Sequence, residues 1–376
     1  MMAIGSALVL GGGGVAEIAW ITGVLAGLAE AGHDVTGVDQ VIGTSSGATV
    51  AAQLGGGLGL DELFARQVEP ARQSPEPMVQ LDMKKFAADI QPYMARVTSP
   101  DDLFRQFGRF ALDARTVPEA ERRAVIEGRL PSAAWPATPT KLIALDCGSG
   151  TMAAFDATSG VSLIDAVAAS CAVPGVWPPV TIDGRRYMDG GVRSTDNADL
   201  AAGAERITVI SPRGMDSATP TLLPLREAMA ALSAGGASVT VVWPDAASAA
   251  AIGTNPLDPA TRAPAAAAGR AQGRAGLPKP LEARLSGGVC AAVLARPSRY
   301  EVSRASVSWS GWPSKYRVST ALKPGSADAA AAKSVMQERS FIASTGPRIR
   351  SAAASSLAAT TPAHSRSLGP STGWPR

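Results

Sequence analysis

Histidine is nearly absent: His33 and His364 are the only two in 376 residues. A serine nucleophile normally gives its proton to an imidazole carried on a loop after a late strand. His33 instead stands beside Gly32 at the end of a helical stretch, where it suits a C-terminal cap, and His364 lies in a low-complexity tail. A Ser-His-Asp triad is therefore not expected. Cysteine is scarce as well. Cys147, Cys171 and Cys290 are odd in number and widely spaced, which fits neither a disulfide framework nor a CxxC metal site and makes a reducing cytoplasm the expected compartment. Long uninterrupted apolar runs are missing too. The first thirty residues are apolar, yet they carry four consecutive glycines, Glu17 and no basic n-region, so neither a signal peptide nor a transmembrane helix is expected.

What is present suffices for a large core, since 46% of the residues are hydrophobic. The net charge of +3 conceals an asymmetry. Residues 1–275 hold 21 Lys and Arg against 28 Asp and Glu, whereas residues 276–376 hold 14 against 4. The basic residues of the tail are dispersed among Ser, Ala, Pro and Gly without a stripe or an aromatic platform, so no nucleic-acid partner is expected. Periodicity also stops near residue 276, although three of the seven tryptophans lie beyond it. We read residues 1–275 as one domain and 276–376 as a disordered or aberrant, out-of-frame basic extension.

Within the domain, "SALVL" runs into Gly11–Gly14 and then into "VAEIAWITGVLAGLAEAG", and "VDQVIGTSSGATVAAQL" repeats the sequence strand, glycine turn, helix. Two such units predict a mainly parallel sheet covered by helices. Residues 58–134 change to charged amphipathic segments, read as helices lying over the sheet as a lid. "TKLIALDC" and "TMAAFDA" predict a hairpin, "SLIDAVAASCAV" a helix capped by Ser162, and "RITVISP" and "ASVTVVWP" later strands before an alanine-rich helical finish.

Two glycine loops carry possible chemistry. Gly11-x-Gly13-x-x-Ala16 satisfies a loose dinucleotide fingerprint, with Asp34 and Asp39 as possible ribose partners, but the spacing to the next glycine turn is too short for an ordinary second unit. The same backbone amides can instead serve an oxyanion. The second loop, Gly43-Thr44-Ser45-Ser46-Gly47, removes the side chains that would collide beside a sharply turned serine; a plain tight turn is the alternative. Without histidine, the base must be another group, and an aspartate in hydrogen-bond reach with a raised pKa is suitable. Asp189 has the most distinctive setting, at a strand end before Gly190 and Gly191. Asp183-Gly184 reads as a hairpin turn and Asp196 as a helix cap.

"GGGG" after a strand, "GTSSG", "DGG" and the connecting "ASCAVPGVWPPVTIDGRRYMDGGV" with Pro174 together resemble the patatin-like phospholipases over roughly residues 5–275. The resemblance implies a three-layer αβα sandwich and a lipid acyl hydrolase with Ser45 as nucleophile and Asp189 as base. It further implies an oxyanion hole from the Gly12, Gly13 and Gly14 amides, with Gly43, Gly47, Gly190 and Gly191 completing the motifs. No metal and no cofactor is implied; the partner is a lipid ester reached by transient contact with a membrane surface. The sequence departs from the family at Ala16 and Glu17, where a basic residue and a glycine are usual. A catalytically silent lipid-binding homologue is the alternative, with a dinucleotide-binding oxidoreductase behind it.

Overall fold

The computed structural model describes residues 4–215 and 223–278. All of these belong to one compact unit, and the expectation for the tail falls outside the described residues from 279 onward. Five strands form a parallel array: β1 (Ile4–Leu10), β2 (Gln40–Thr44), β3 (Thr140–Asp146), β7 (Ala204–Ile210) and β8 (Ser238–Val242), in the order β3-β2-β1-β7-β8. Strands β4 (Met152–Phe155), β5 (Val180–Ile182) and β6 (Arg185–Asp189) are antiparallel additions around β3. Near-continuous apolar runs such as Ala7-Leu8-Val9-Leu10 are buried on both faces, as a parallel sheet covered on both sides requires.

The alternation of side chains divides the interior in two. Leu8 and Leu10 point to a core shared with α1 (Val15–Glu30), α2 (Ser46–Leu54), α7 (Leu163–Ser170) and α10 (Arg262–Arg274). Ala7 and Val9 point to the other core, closed by α8 (Leu225–Ala234) and a 3-10 turn at Ala198–Ala201. The αβα layering expected from the sequence is thus observed. The alanine-rich finish is broken into α9 (Ala246–Ile252) and α10.

Residues 58–134 form α3 (Leu60–Val68), α4 (Met83–Met94), α5 (Pro100–Asp113) and α6 (Glu119–Arg129). Helices α4 and α5 enclose a small core of Ile90, Met94 and Phe110, with the Phe86 and Tyr93 rings edge-on to Phe110.

The register around β3 positions the site. Ile143 pairs with Thr44 of β2 and with Ala154 of β4, while the next residue, Ala144, pairs with Asp189 of β6 and with Ala153 of β4. A strand has only two edges. Because β4 occupies one, β2 and β6 share the other and meet end to end, Thr44 beside Asp189.

Candidate active site

Ser45 follows Thr44 at that meeting point, between β2 and the first residue of α2. Its backbone sits at φ 53° and ψ −114°, a region strained for a residue with a Cβ. The flanking glycines are obligatory for packing: a Cβ on Gly43 would lie 2.7 Å from the Ala48 Cα, and one on Gly47 would lie 2.0 Å from the Leu10 carbonyl oxygen. Residues at the end of α7, which the sequence analysis missed, hold the turn. The Ser45 amide donates to Ser170 Oγ at 3.0 Å, Ser170 Oγ donates to the Ile143 carbonyl at 2.6 Å, and the Cys171 thiol lies 3.2 Å from the Ser45 carbonyl oxygen. Their only trace in the sequence is the polar pair interrupting an apolar helix.

Asp189 is held from both sides. Its amide donates to the Ala172 carbonyl at 3.0 Å, and its Oδ1 accepts from the Gly191 amide at 2.7 Å. Gly190 passes so close to β3 that a Cβ would stand 2.4 Å from the Ile143 carbonyl oxygen. Asn197, a second residue missed by sequence reasoning, joins the two halves: its side-chain amide donates to Thr44 Oγ1 at 3.0 Å and to the Ser194 carbonyl at 2.9 Å. Burial raises the pKa of the Asp189 carboxyl to about 6, against the opposing effects of the Gly191 amide, the nearby Ser45 hydroxyl and the charge of Arg213. The Ser45 hydroxyl also lies 3.3 Å from the Gly13 carbonyl oxygen. The structure therefore brings Ser45, Asp189 and the first glycine loop together. His33 is remote from them in the fold, at the far end of α1, where its amide donates to the Leu28 carbonyl at 2.8 Å.

The three amides of that loop are not equivalent. Gly12 N–H donates to the Thr195 carbonyl at 2.7 Å, which removes it from the expected set of oxyanion donors. Gly14 N–H donates to Glu17 Oε2 at 2.7 Å. Only the Gly13 amide has no partner among the described residues. Glu17 points inward, 2% exposed, and its side chain folds back over Gly13. Burial pushes its carboxyl above the ordinary range, opposed by Arg213 and by the amides of Gly14 and Glu17 itself. The Gly13-Gly14 peptide thus presents its carbonyl to Ser45 and its N–H to Glu17.

Two further aspartate expectations change. Asp196 is not a helix cap: the residue flanking the 3-10 turn is Asn197, and Asp196 is buried, accepting from Thr195 Oγ1 at 2.7 Å. A Cβ on Gly11 would lie 2.2 Å from Asp196 Oδ1, so the first glycine of the loop accommodates this carboxylate. Asp39 accepts from the Ser6 amide at 2.8 Å at the beginning of β2, the opposite end from the glycine loop. A ribose partner belongs beyond the end of that strand, so the geometry gives no support to a dinucleotide site.

A family model described as Patatin-like phospholipase matches residues 8–202. No curated protein matches the chain. Among solved structures, VipD from Legionella pneumophila is similar at 12% identity and a TM-score of 0.36, covering 72% of this chain and 66% of that one. The type III effector protein ExoU is similar at 15% identity and a TM-score of 0.30, covering 73% of this chain and 54% of that one. The chain spans less than two thirds of either.

Proposed function

The chain belongs to the patatin-like phospholipase family, and from that membership we propose that it is a lipid acyl hydrolase in which Ser45 is the nucleophile and Asp189 its base. The observation that carries the reading is a strained, glycine-flanked serine that follows Thr44 where β2 meets β6, beside a buried carboxylate whose pKa is raised to about 6. Ser45 Oγ attacks the ester carbonyl as its proton passes to Asp189. The tetrahedral oxyanion is received by the Gly13 amide and by the Ser46 amide at the head of α2, where the first backbone N–H groups have no intrahelical acceptor. Collapse of this adduct releases the alcohol with the proton from Asp189. Water, deprotonated by the same carboxylate, then hydrolyses the acyl-enzyme.

Helices α3–α6 form one wall of the entrance and act as its lid in this reading. Contact with a lipid surface is transient and follows from the substrate; among the described residues no helix is long and apolar enough to cross a membrane. Residues 1–275 constitute the hydrolase domain.

One observation favours a second reading, a lipid-binding homologue without turnover: Glu17 holds the Gly14 amide away from Ser45. A fluorophosphonate probe and a p-nitrophenyl ester distinguish the two. Wild-type protein is expected to label at Ser45 and to turn over the ester, with Ser45→Ala and Asp189→Asn each losing on the order of 10³-fold or more in kcat. Glu17→Ala frees the Gly14 amide and is expected to accelerate both reactions by about tenfold or more, as an added donor should. A folded wild-type protein that neither labels nor turns over, with labelling gained in Glu17→Ala, establishes the silent reading.

A further inference from the structure

Beside Ser45 lies a small cavity of about 20 Å³, bordered by Gly13, Ser45, Glu76, Arg122, Arg129 and Trp177. Two arginines on α6 reach it almost wholly buried, with side chains 6% and 8% exposed. Buried cations need paired and hydrogen-bonded partners, and here the partners are insufficient. Arg129 forms a bidentate pair with Glu76, Nε to Oε1 at 2.5 Å and Nη2 to Oε2 at 2.7 Å. Arg122 is left over. Its Nη1 stands 3.9 Å from Glu76 Oε2, too far for a hydrogen bond, and both Nε and Nη1 are buried without any acceptor. The guanidinium is instead fixed 3.8 Å over the Trp177 ring.

Glu76 does not belong to the wall that carries the arginines. It sits on the irregular connection 73–82 before α4, between the exposed residues Pro75 and Pro77. That connection is tethered by Gln73 Nε2 to the Gln67 carbonyl at 2.6 Å, by Arg262 Nη1 to the Ser74 carbonyl at 2.9 Å, and by Asn255 Nδ2 to the Val79 carbonyl at 2.9 Å. The cavity has room for about one water and no more, so any larger anion must take the place of Glu76. As placed by the Arg129 fork, the Glu76 carboxylate leaves the Arg122 donors unmet, with Nη1 3.9 Å from its nearer oxygen. A tetrahedral phosphate, whose oxygens do not lie in one plane, can meet both guanidinium groups.

We propose that Arg122 and Arg129 form the recognition site for the phosphate of a glycerophospholipid, occupied in the free protein by the side chain of Glu76 and vacated when the substrate displaces connection 73–82. The inference rests on the hydrolase reading, because it is the ester of the same molecule that Ser45 attacks. Phosphate and ester are separated in a glycerophospholipid by only a few covalent bonds, and the arginines and Ser45 border one cavity. Arg122 is thereby a specificity residue: it distinguishes phospholipids from neutral glycerides.

The test uses the full chain with two soluble substrates of equal acyl length, dihexanoyl phosphatidylcholine and dihexanoylglycerol. Arg122→Met keeps a flexible apolar side chain against Trp177 and leaves the Arg129–Glu76 pair intact. Its thermal midpoint is expected to equal or exceed that of the wild type, because the buried cation removed makes no ionic hydrogen bond. The ratio of kcat/KM for the phosphatidylcholine to that for the glyceride is expected to fall at least tenfold. Calorimetric binding of dihexanoyl phosphatidylcholine to Ser45→Ala, compared with Ser45→Ala/Arg122→Met, gives the same answer without turnover: a tenfold weakening is expected. An unchanged ratio together with unchanged binding overturns the inference while leaving the hydrolase reading in place. Absence of turnover with binding that still depends on Arg122 refutes the hydrolase reading and supports this site. A fall in thermal midpoint with no change in selectivity or binding assigns Arg122 a structural role and also overturns the inference.

Discussion

At the scale of single residues, Asp189 sets both the working pH range and a local cost in stability. It must be ionised to receive the Ser45 proton, and burial raises its pKa to about 6. For a single essential base, kcat/KM is expected to fall about tenfold per pH unit below that value and to level off above it; a pH-rate profile with a neutral soluble ester measures this. The sign for folding is opposite. A carboxyl whose folded pKa lies above its unfolded value favours the native state at low pH, and that contribution is lost as pH rises from about 4 through about 6. Asp189→Asn is therefore expected to be more stable than wild type at pH 8, by at most about 3 kcal/mol, and to have no such advantage at pH 3. Urea unfolding at the two pH values reads the difference. The sequence made Asp189 recognisable through the two glycines behind it, since a strand-end carboxylate followed by residues without side chains invites another loop to approach. It could not reveal that Glu17 takes the Gly14 amide or that Thr195 takes that of Gly12, because both depend on where a peptide plane points rather than on residue type. Glu76 was equally hidden, as a carboxylate in an irregular connection resembles any solvated acid.

At the scale of elements, β3 organises the site by accepting β2 and β6 along one edge, so that two segments far apart in the chain end beside each other. Strand periodicity predicts the individual strands and the β3–β4 hairpin, but pairing between distant segments is set by tertiary packing and is not written in either strand alone. The close approach of α1 and α10 is another case. Both sequences read as helices, yet their glycines interlock: a Cβ on Gly269 would lie 2.4 Å from the Trp20 carbonyl oxygen, and one on Gly23 would lie 2.1 Å from that of Ala266. Neither helix can yield without opening the core under Trp20, Val24 and Leu28. Gly269→Val is therefore expected to destabilise the protein by about 1–3 kcal/mol or more. Gly128, also helical, is the matched contrast, since a Cβ there would meet nothing within 4 Å. Gly128→Ala is expected to stabilise by up to about 1 kcal/mol. Thermal unfolding of the two variants separates seam packing from helix propensity.

At the scale of the whole molecule, the three-layer arrangement places every group of the site at one end of the sheet, on the turns that leave β1, β2 and β6, while the cores on either face fix those turns. The last helix among the described residues, α10, is integral to this arrangement. Ala265 and Ala266 of α10 are fully buried in the same core as Trp20, and Leu277 packs against it. Packing against this core thus reaches Leu277, just beyond the point at which helical periodicity in the sequence fades. A chain ending at Pro278 retains each of these contacts and is expected to melt within a few degrees of the full chain and to hydrolyse a p-nitrophenyl ester at a comparable rate. A chain ending at Thr261 lacks α10, exposes the glycine-lined face of α1 and is expected to aggregate or remain unfolded, since a buried helix without its partner loses far more than the few kcal/mol that hold a domain together. Calorimetry and ester turnover on the two truncations decide the matter: equal loss in both places a necessary structural element beyond residue 278, and equal tolerance removes α10 from the foundations of the site.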